Sequence, residues 1–177
     1  IIDTDSPTIL EDAKQNFPAV KLLNRPPHLC DDETPMNDVL LNVVSQIPAT
    51  HYFQTHSTNP LLKIETIDSA IQTYLDNFPV YDSLFGVTRL QQRLWESLSR
   101  AVNHNPRILL RTQDLPPLYT ENSCLYLFDS NVLVNKHNRI GDRPMMFDID
   151  RNEAWDIDEE LDFRVAEFLY NENTHEL

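Results

Sequence analysis

Hydrophobic positions along the chain fall into short apolar runs that alternate with stripes at helical spacing, the pattern of repeated βα units. Ile1-Ile2 reads as the end of a buried strand and Asp3-Thr4-Asp5-Ser6-Pro7 as the turn leaving it. Ser6 is a good N-cap and Pro7 a good first helical residue, so the spacing predicts a helix to about Asn16. Val20 to Leu23 reads as a short strand. A loop rich in proline and acid, Asn24 to Pro35, leads to a helix striped by Met36, Val39, Leu40, Val43, Val44 and Ile47. That stripe is a core face. His51 to Gln54 is the next strand, ended by Thr58-Asn59-Pro60, and Ile67, Ile71, Tyr74, Leu75 and Phe78 define a third helix. Ser83 to Thr88 follows as a strand.

The second half is less regular. Asn103 to Asn122 carries Pro106, Pro116 and Pro117 and one brief apolar run, Ile108 to Leu110, so it reads as an extended arm or a lid-like loop. Ser123 to Phe128 and Met145 to Ile149 are strands, and Leu161, Val165, Phe168 and Leu169 mark a final helix. Such alternation implies an α/β fold with a mostly parallel sheet and helices on both faces. One domain over 1–177, with an arm at about 103–135, fits a chain of 177 residues. The abrupt opening at Ile1 leads us to expect further residues upstream, because an α/β domain seldom starts at its second or third strand.

Charge and cysteine content narrow the function. A net charge of −14, with 14 scattered Lys and Arg, argues against wrapping nucleic acid. Two cysteines far apart, Cys30 and Cys124, suggest neither a metal knuckle nor a disulfide framework, and a reducing compartment is the default. No apolar run approaches the roughly 20 residues of a membrane span. Only Gly86 and Gly141 occur, so no Walker loop or dinucleotide fingerprint is present.

The acidic run Glu153-Ala154-Trp155-Asp156-Ile157-Asp158-Glu159-Glu160-Leu161-Asp162-Phe163 carries the most chemistry. In an extended segment Asp156 and Asp158 point the same way, which suits a Mg²⁺ ion held by two carboxylates, water and substrate phosphates. The same residues would also serve simply to open a helix at its positive end. An EF-hand-like calcium site around Asp148, Asp150, Asp156 and Asp158 is not supported, since the required central glycine is missing.

Several pieces together carry a resemblance. They are Asp3-Thr4-Asp5-Ser6, Arg25-Pro26 with Leu29 and Asp32, Thr58-Asn59-Pro60-Leu61, Ser83-Leu84-Phe85-Gly86-Val87, Arg111-Thr112-Gln113-Asp114 with Glu121-Asn122 and Tyr126, Asn138-Arg139-Ile140-Gly141, and Asp156-Ile157-Asp158 with Asp162 and Ala166-Glu167. In this order and spacing, over essentially the whole chain, the sequence resembles the acylneuraminate cytidylyltransferases, the CMP-sialic acid synthetases. The resemblance implies a Rossmann-like nucleotidyltransferase fold, a cytoplasmic homodimer joined through an extended arm, and transfer of CMP from CTP to a nine-carbon or related acidic sugar with release of pyrophosphate. It also implies a basic, Gly-containing phosphate loop after the first strand, which this sequence lacks, so a catalytically incomplete nucleotide-sugar or metal-binding module is the alternative.

Residue roles follow from the same resemblance. Asp156 and Asp158 correspond to the metal pair, with Mg²⁺ as the ion. Arg111 corresponds to an arginine reading the sugar carboxylate, and Tyr126 to a sugar-contacting tyrosine; the alternative is a surface Arg and a core Tyr. Gln113 and Asn122 would bond sugar hydroxyls or cap turns. His56 stands where the family commonly has Gln in Gln-Pro-Thr-Ser-Pro, with Thr58 close by on the substrate side. Arg25 corresponds to an arginine near the nucleotide. Asp5 lies at a strand end where α/β sheets bind ligands, or caps the helix at Pro7.

Overall fold

The computed structural model describes residues 1–175. Six strands and five helices follow one another: β1 (Ile2–Thr4), α1 (Pro7–Asn16), β2 (Leu22–Asn24), α2 (Met36–Gln46), β3 (His51–Thr55), α3 (Ile64–Asn77), β4 (Ser83–Leu90), β5 (Leu118–Asp129), α4 (Ser130–Lys136), β6 (Pro144–Asp148) and α5 (Glu160–His175). Single 3₁₀ turns lie at Pro27–Leu29 and Thr112–Asp114. No helix of the described residues is long and apolar enough to cross a membrane.

The chain forms two compact units. One comprises Ile1–Tyr52 with Phe128–Gly141, the other Phe53–Leu127 with the residues from Asp142 onward. In the first, β1 and β2 pair in parallel, Ile2 opposite Leu22 and Thr4 opposite Asn24, with α1 as the crossover. Ser6 caps α1 as its sequence predicts, its hydroxyl accepting the Ile9 N–H at 3.4 Å. Helix α2 buries Val39 and Val43 and packs against α4, where Asn37 Oδ1 accepts the Arg139 N–H at 3.2 Å and His137 meets Asp38. Tyr52 stacks on Phe128 with centroids 5.8 Å apart.

The second unit holds the larger core, Ala70, Tyr74, Leu84, Cys124, Leu125, Leu127 and Ile149, formed where α3 lies on the strands. Strand order is β3-β5-β4-β6. Strands β4 and β6 are parallel, Ser83 opposite Pro144 and Val87 opposite Asp148.

Two features depart from the sequence reading. The arm expected over 103–135 is irregular only to Pro117, because β5 begins at Leu118 and α4 follows it. The five residues Cys124 to Phe128 are all buried, and such an apolar run forms a strand whose length extends beyond its buried part. Helix α4 escaped detection because Leu133 is its single buried residue. The irregular segment is nonetheless tied down: Gln91 donates to Thr112 O (2.7 Å) and Leu115 O (3.0 Å), and a small turn pairs Trp95 with Ala101.

Leu84 is almost fully buried in the second unit's core. Leu84→Ala is expected to lower stability by about 2–5 kcal/mol, read as a fall in the urea midpoint without a change in slope.

Candidate active site

The carboxyl ends of the parallel pair β4 and β6 form the base of the site, the usual ligand position in α/β sheets. Gly86 on β4 is required there: a Cβ at this position would lie 2.5 Å from Asn122 Oδ1 and 2.8 Å from Ile149 Cδ1. Asn122 is held over the glycine by its amide, which donates to Thr88 Oγ1 at 2.9 Å and accepts the Cys124 N–H at 3.2 Å. Between them Ser123 adopts a left-handed conformation (φ 57°), a local kink that turns β5 and that few non-glycine residues adopt.

After β6 the chain turns through Asp150, whose carboxylate accepts the Asn152 N–H at 2.8 Å, and enters the acidic loop. Four contacts fix this loop. Buried Glu153 accepts the Lys63 N–H (3.2 Å) and the Thr66 hydroxyl (2.6 Å) at the start of α3, with the Lys63 ammonium 3.6 Å away. Asn59, also buried, donates to Trp155 O at 3.3 Å. Ile157 N–H donates to Thr58 O at 2.9 Å. Asp162 reaches back to accept the N–H groups of Asp158 (3.2 Å) and Glu159 (2.9 Å), half of a capping box for α5.

The result is a cleft of about 290 Å³ lined by Thr88, Thr120, Asn122, Arg151, Ala154, Trp155, Asp156, Asp158 and Asp162. Asp156 is half-buried and Asp158 exposed, both in its lining, and Asp156 Oδ1 is buried without a hydrogen-bond partner. An orphaned carboxylate oxygen is a costly feature that a cation would relieve. Among the described residues no group of three or more His, Cys, Asp or Glu is arranged to hold a metal ion. Burial, aided by the Asp156 and Glu153 charges, pushes the Cys124 thiol up to about 12.

The other expected site residues distribute unevenly. Asn122 lines the cleft. Thr58 contributes its backbone carbonyl to the acidic loop. Arg111 is exposed and outside the lining, its fork filled by Asp114 (Nε to Oδ2 2.7 Å, Nη2 to Oδ1 3.0 Å). Gln113 is exposed on the adjoining 3₁₀ turn. Tyr126 is buried, its hydroxyl donating to the Glu121 carboxylate and lying 3.4 Å from Ser123 Oγ. His56 tilts against the Tyr126 ring, centroids 6.4 Å apart, and Gln54 donates to its Nε2 at 3.1 Å. In the first unit Arg25 donates from Nε to Asp3 Oδ1 at 2.6 Å and from Nη2 to Asp3 O at 3.3 Å, while Asp3 Oδ2 is buried and unpartnered. Asp5 is exposed beside them, and the cap of α1 is Ser6 rather than Asp5. Sequence reasoning assigned no role to Glu153, Asn59, Thr88, Thr120, Trp155 or Arg151, although Glu153 and Trp155 stand in the acidic run and Asn59 in the Thr58-Asn59-Pro60-Leu61 piece.

A cytidylyltransferase family model matches residues 1–175. The chain is 24% identical over 185 residues to post-translational flagellin modification protein B of Campylobacter coli, covering 97% of this chain and 77% of that protein. Over a shorter stretch, 57 residues, it is 37% identical to CMP-N,N'-diacetyllegionaminic acid synthase of Campylobacter jejuni subsp. jejuni serotype O:2 (32% and 24% of the two chains). Among solved structures, CMP:2-keto-3-deoxy-manno-octonic acid synthetase complexed with CTP is similar with a TM-score of 0.65 at 13% identity, over 97% of this chain and 80% of that one. The 4-diphosphocytidyl-2C-methyl-D-erythritol synthase of Anaerococcus prevotii gives 0.64 at 9% identity, over 94% and 77%. The fold is therefore the α/β, Rossmann-like nucleotidyltransferase fold that the sequence implies.

Two measurements check this geometry. Gly86→Ala should cost about 1–3 kcal/mol by overpacking, and adding Asn122→Ala to it should cost less than the two changes summed, since the clash is removed. Above about pH 9 the unfolded Cys124 thiol ionises while the folded one keeps its proton until about 12, so the folded state binds the extra proton and stability falls as pH rises through that window. Cys124→Ala should flatten that fall in denaturant titrations at pH 9 and pH 11; an unchanged slope would contradict a buried, protonated thiol.

Proposed function

Because this chain belongs to the cytidylyltransferase family, we propose that it transfers CMP from CTP to an acidic sugar of the sialic-acid class, nine-carbon or a close relative, releasing pyrophosphate. The observation that carries the reading is the unpartnered, buried Asp156 oxygen beside Asp158 in a cleft at the strand ends. The name of the Campylobacter jejuni relative, a CMP-sugar-acid synthase, supports the acidic sugar as acceptor.

In this reaction a sugar hydroxyl gives up its proton to solvent as its oxygen bonds to the α-phosphorus, the bond from that phosphorus to the bridging oxygen breaks, and pyrophosphate leaves. Asp156 and Asp158 would hold Mg²⁺, which when bound supplies positive charge against the phosphoryl oxygens. The chain's own part is positioning. Glu153, Asn59 and Asp162 hold the acidic loop, while the Thr88 and Thr120 hydroxyls and Asn122 present hydrogen-bonding groups of the kind a polyol needs. Exposed Leu98 (88%) and Leu109 (90%), with Trp95, Val102, Ile108 and Leu110, give the irregular segment an apolar surface that a second copy of the chain would cover.

Pyrophosphate release from CTP and Mg²⁺ is the direct test, using N-acetylneuraminic, N,N'-diacetyllegionaminic, pseudaminic and 2-keto-3-deoxyoctonic acids in turn. Turnover with at least one is expected; CTP binding without release for any of them would point to a binding module. Asp158→Asn, which keeps size and removes charge, should lower turnover by about a hundredfold or more while leaving the fold intact. Light scattering at micromolar concentration should give a dimer, and a monomer there would remove the apolar-surface argument.

A further inference from the structure

Thr120 and Asn122 line the cleft from β5 and are tied to the neighbouring strand. Thr120 Oγ1 donates to Thr88 O at 3.3 Å, and the Asn122 amide donates to Thr88 Oγ1 at 2.9 Å. Glu121 between them takes the opposite face by strand alternation, and its carboxylate accepts the hydroxyl of Tyr126. Glu121 is exposed, whereas Tyr126 is only 1% exposed. A buried phenol needs a hydrogen-bond partner, and a carboxylate is a strong acceptor for it. The same hydroxyl lies 3.4 Å from Ser123 Oγ, at the residue whose left-handed backbone (φ 57°) kinks the strand. The His56 ring packs against the phenol from the end of β3, centroids 6.4 Å apart.

Glu121 and Tyr126 are five residues apart along β5. In a regular strand that separation, about 16 Å, exceeds the joint reach of the two side chains, and an odd spacing puts them on opposite faces. The bond therefore exists only because Ser123 kinks the chain, and in turn it holds in place a backbone conformation that serine rarely adopts. We propose that Glu121 and Tyr126 are positioning residues: their bond locks the kink and so fixes the direction in which Thr120 and Asn122 face the cleft. Asn122 depends on the kink directly, since its Oδ1 accepts the Cys124 N–H at 3.2 Å across Ser123. Neither Glu121 nor Tyr126 is in the cleft lining. The inference rests on the reading above, in which Thr120 and Asn122 meet the acceptor's hydroxyls. It gives Tyr126 a place behind the cleft wall instead of the sugar contact that the resemblance implied.

The experiment compares Tyr126→Phe, Glu121→Ala, Glu121→Gln and the Tyr126→Phe/Glu121→Ala double variant with the wild type. Amide hydrogen exchange without ligands is read at Asn122 and Cys124, with Leu84 and Val87 on β4 as the internal reference. KM is measured separately for CTP and for the acid of the panel above that turns over fastest. The expected result is exchange about tenfold faster at Asn122 and Cys124 in Tyr126→Phe and in Glu121→Ala, with Leu84 and Val87 unchanged. KM for the acid should rise about three- to tenfold in both, with KM for CTP nearly constant. The double variant should be no worse than either single one, because both changes remove the same bond. Glu121→Gln keeps an acceptor oxygen and should recover most of both effects. A Tyr126→Phe defect that persists in full in the Glu121→Ala background would mean that the hydroxyl meets the sugar itself, and would overturn the proposal. Unchanged exchange at Asn122 and Cys124 would overturn it too, as would a rise in KM for CTP equal to that for the acid. If Tyr126→Phe loosens β4 as well, the two variants of exposed Glu121 carry the test. Absence of turnover with every acid would remove the synthetase reading, while the exchange rates would still decide whether this bond holds the kink.

Discussion

A buried carboxylate at the entry of the acidic loop is the constraint on which the site depends. Glu153 is taken out of water at a cost of several kcal/mol unless its oxygens are satisfied. Here they receive the Lys63 N–H and the Thr66 hydroxyl, with the Lys63 ammonium nearby. Those donors sit at the start of α3, where helical N–H groups lack partners and the helix dipole favours negative charge. One side chain therefore caps a helix and anchors a loop. Because Asp156 and Asp158 follow within five residues, their carboxylates inherit their position from this anchor and from the Thr58 and Asn59 contacts beyond it.

The cleft also shows how charge is partitioned in a strongly acidic chain. Of the net −14, three carboxylates gather around one small volume, and the strand residues that share its lining, Thr88, Thr120 and Asn122, are uncharged. Neutral hydrogen-bonding groups come from the strands β4 and β5, and the charged ones from the loop and turn after β6. The rigid side of the cleft is thus suited to hydroxyl groups and the loop side to ions. Gly86 sits at that division, since a Cβ there would press on Asn122 Oδ1 and Ile149 Cδ1.

Much of the fold was legible because the stripes of α2 and α3 and the apolar run of β5 are strong signals of core position. Asp156 and Asp158 share the cleft lining, a placing that period-two alternation within a run of acids suggested. Helix α4 was not, because a seven-residue helix with one buried side chain leaves no stripe. The start of β5 was hidden behind Pro116 and Pro117, whose backbone restrictions read as loop. Arg111 illustrates a different limit: the sequence shows a guanidinium, and only coordinates show that Asp114, three residues on, already fills its fork. Arg151 is the converse, an ordinary turn residue in the sequence whose place in the cleft lining appears only in space.

The anchoring of the acidic loop has a dynamic consequence. Its ties to the rest of the unit are side-chain and single backbone bonds, namely Glu153 to α3, Asn59 to Trp155 O and Ile157 to Thr58 O, rather than a continuous ladder. Releasing Glu153 would both free the loop entry and remove its acceptor from the start of α3. The loop and the first turn of α3 thus form one cooperative opening unit, whose amides would exchange with solvent at a common rate well before the strands β4 and β5 do. A ligand that bridges Asp156 and Asp158 would slow that shared opening, so its binding would be felt at the start of a helix it never touches.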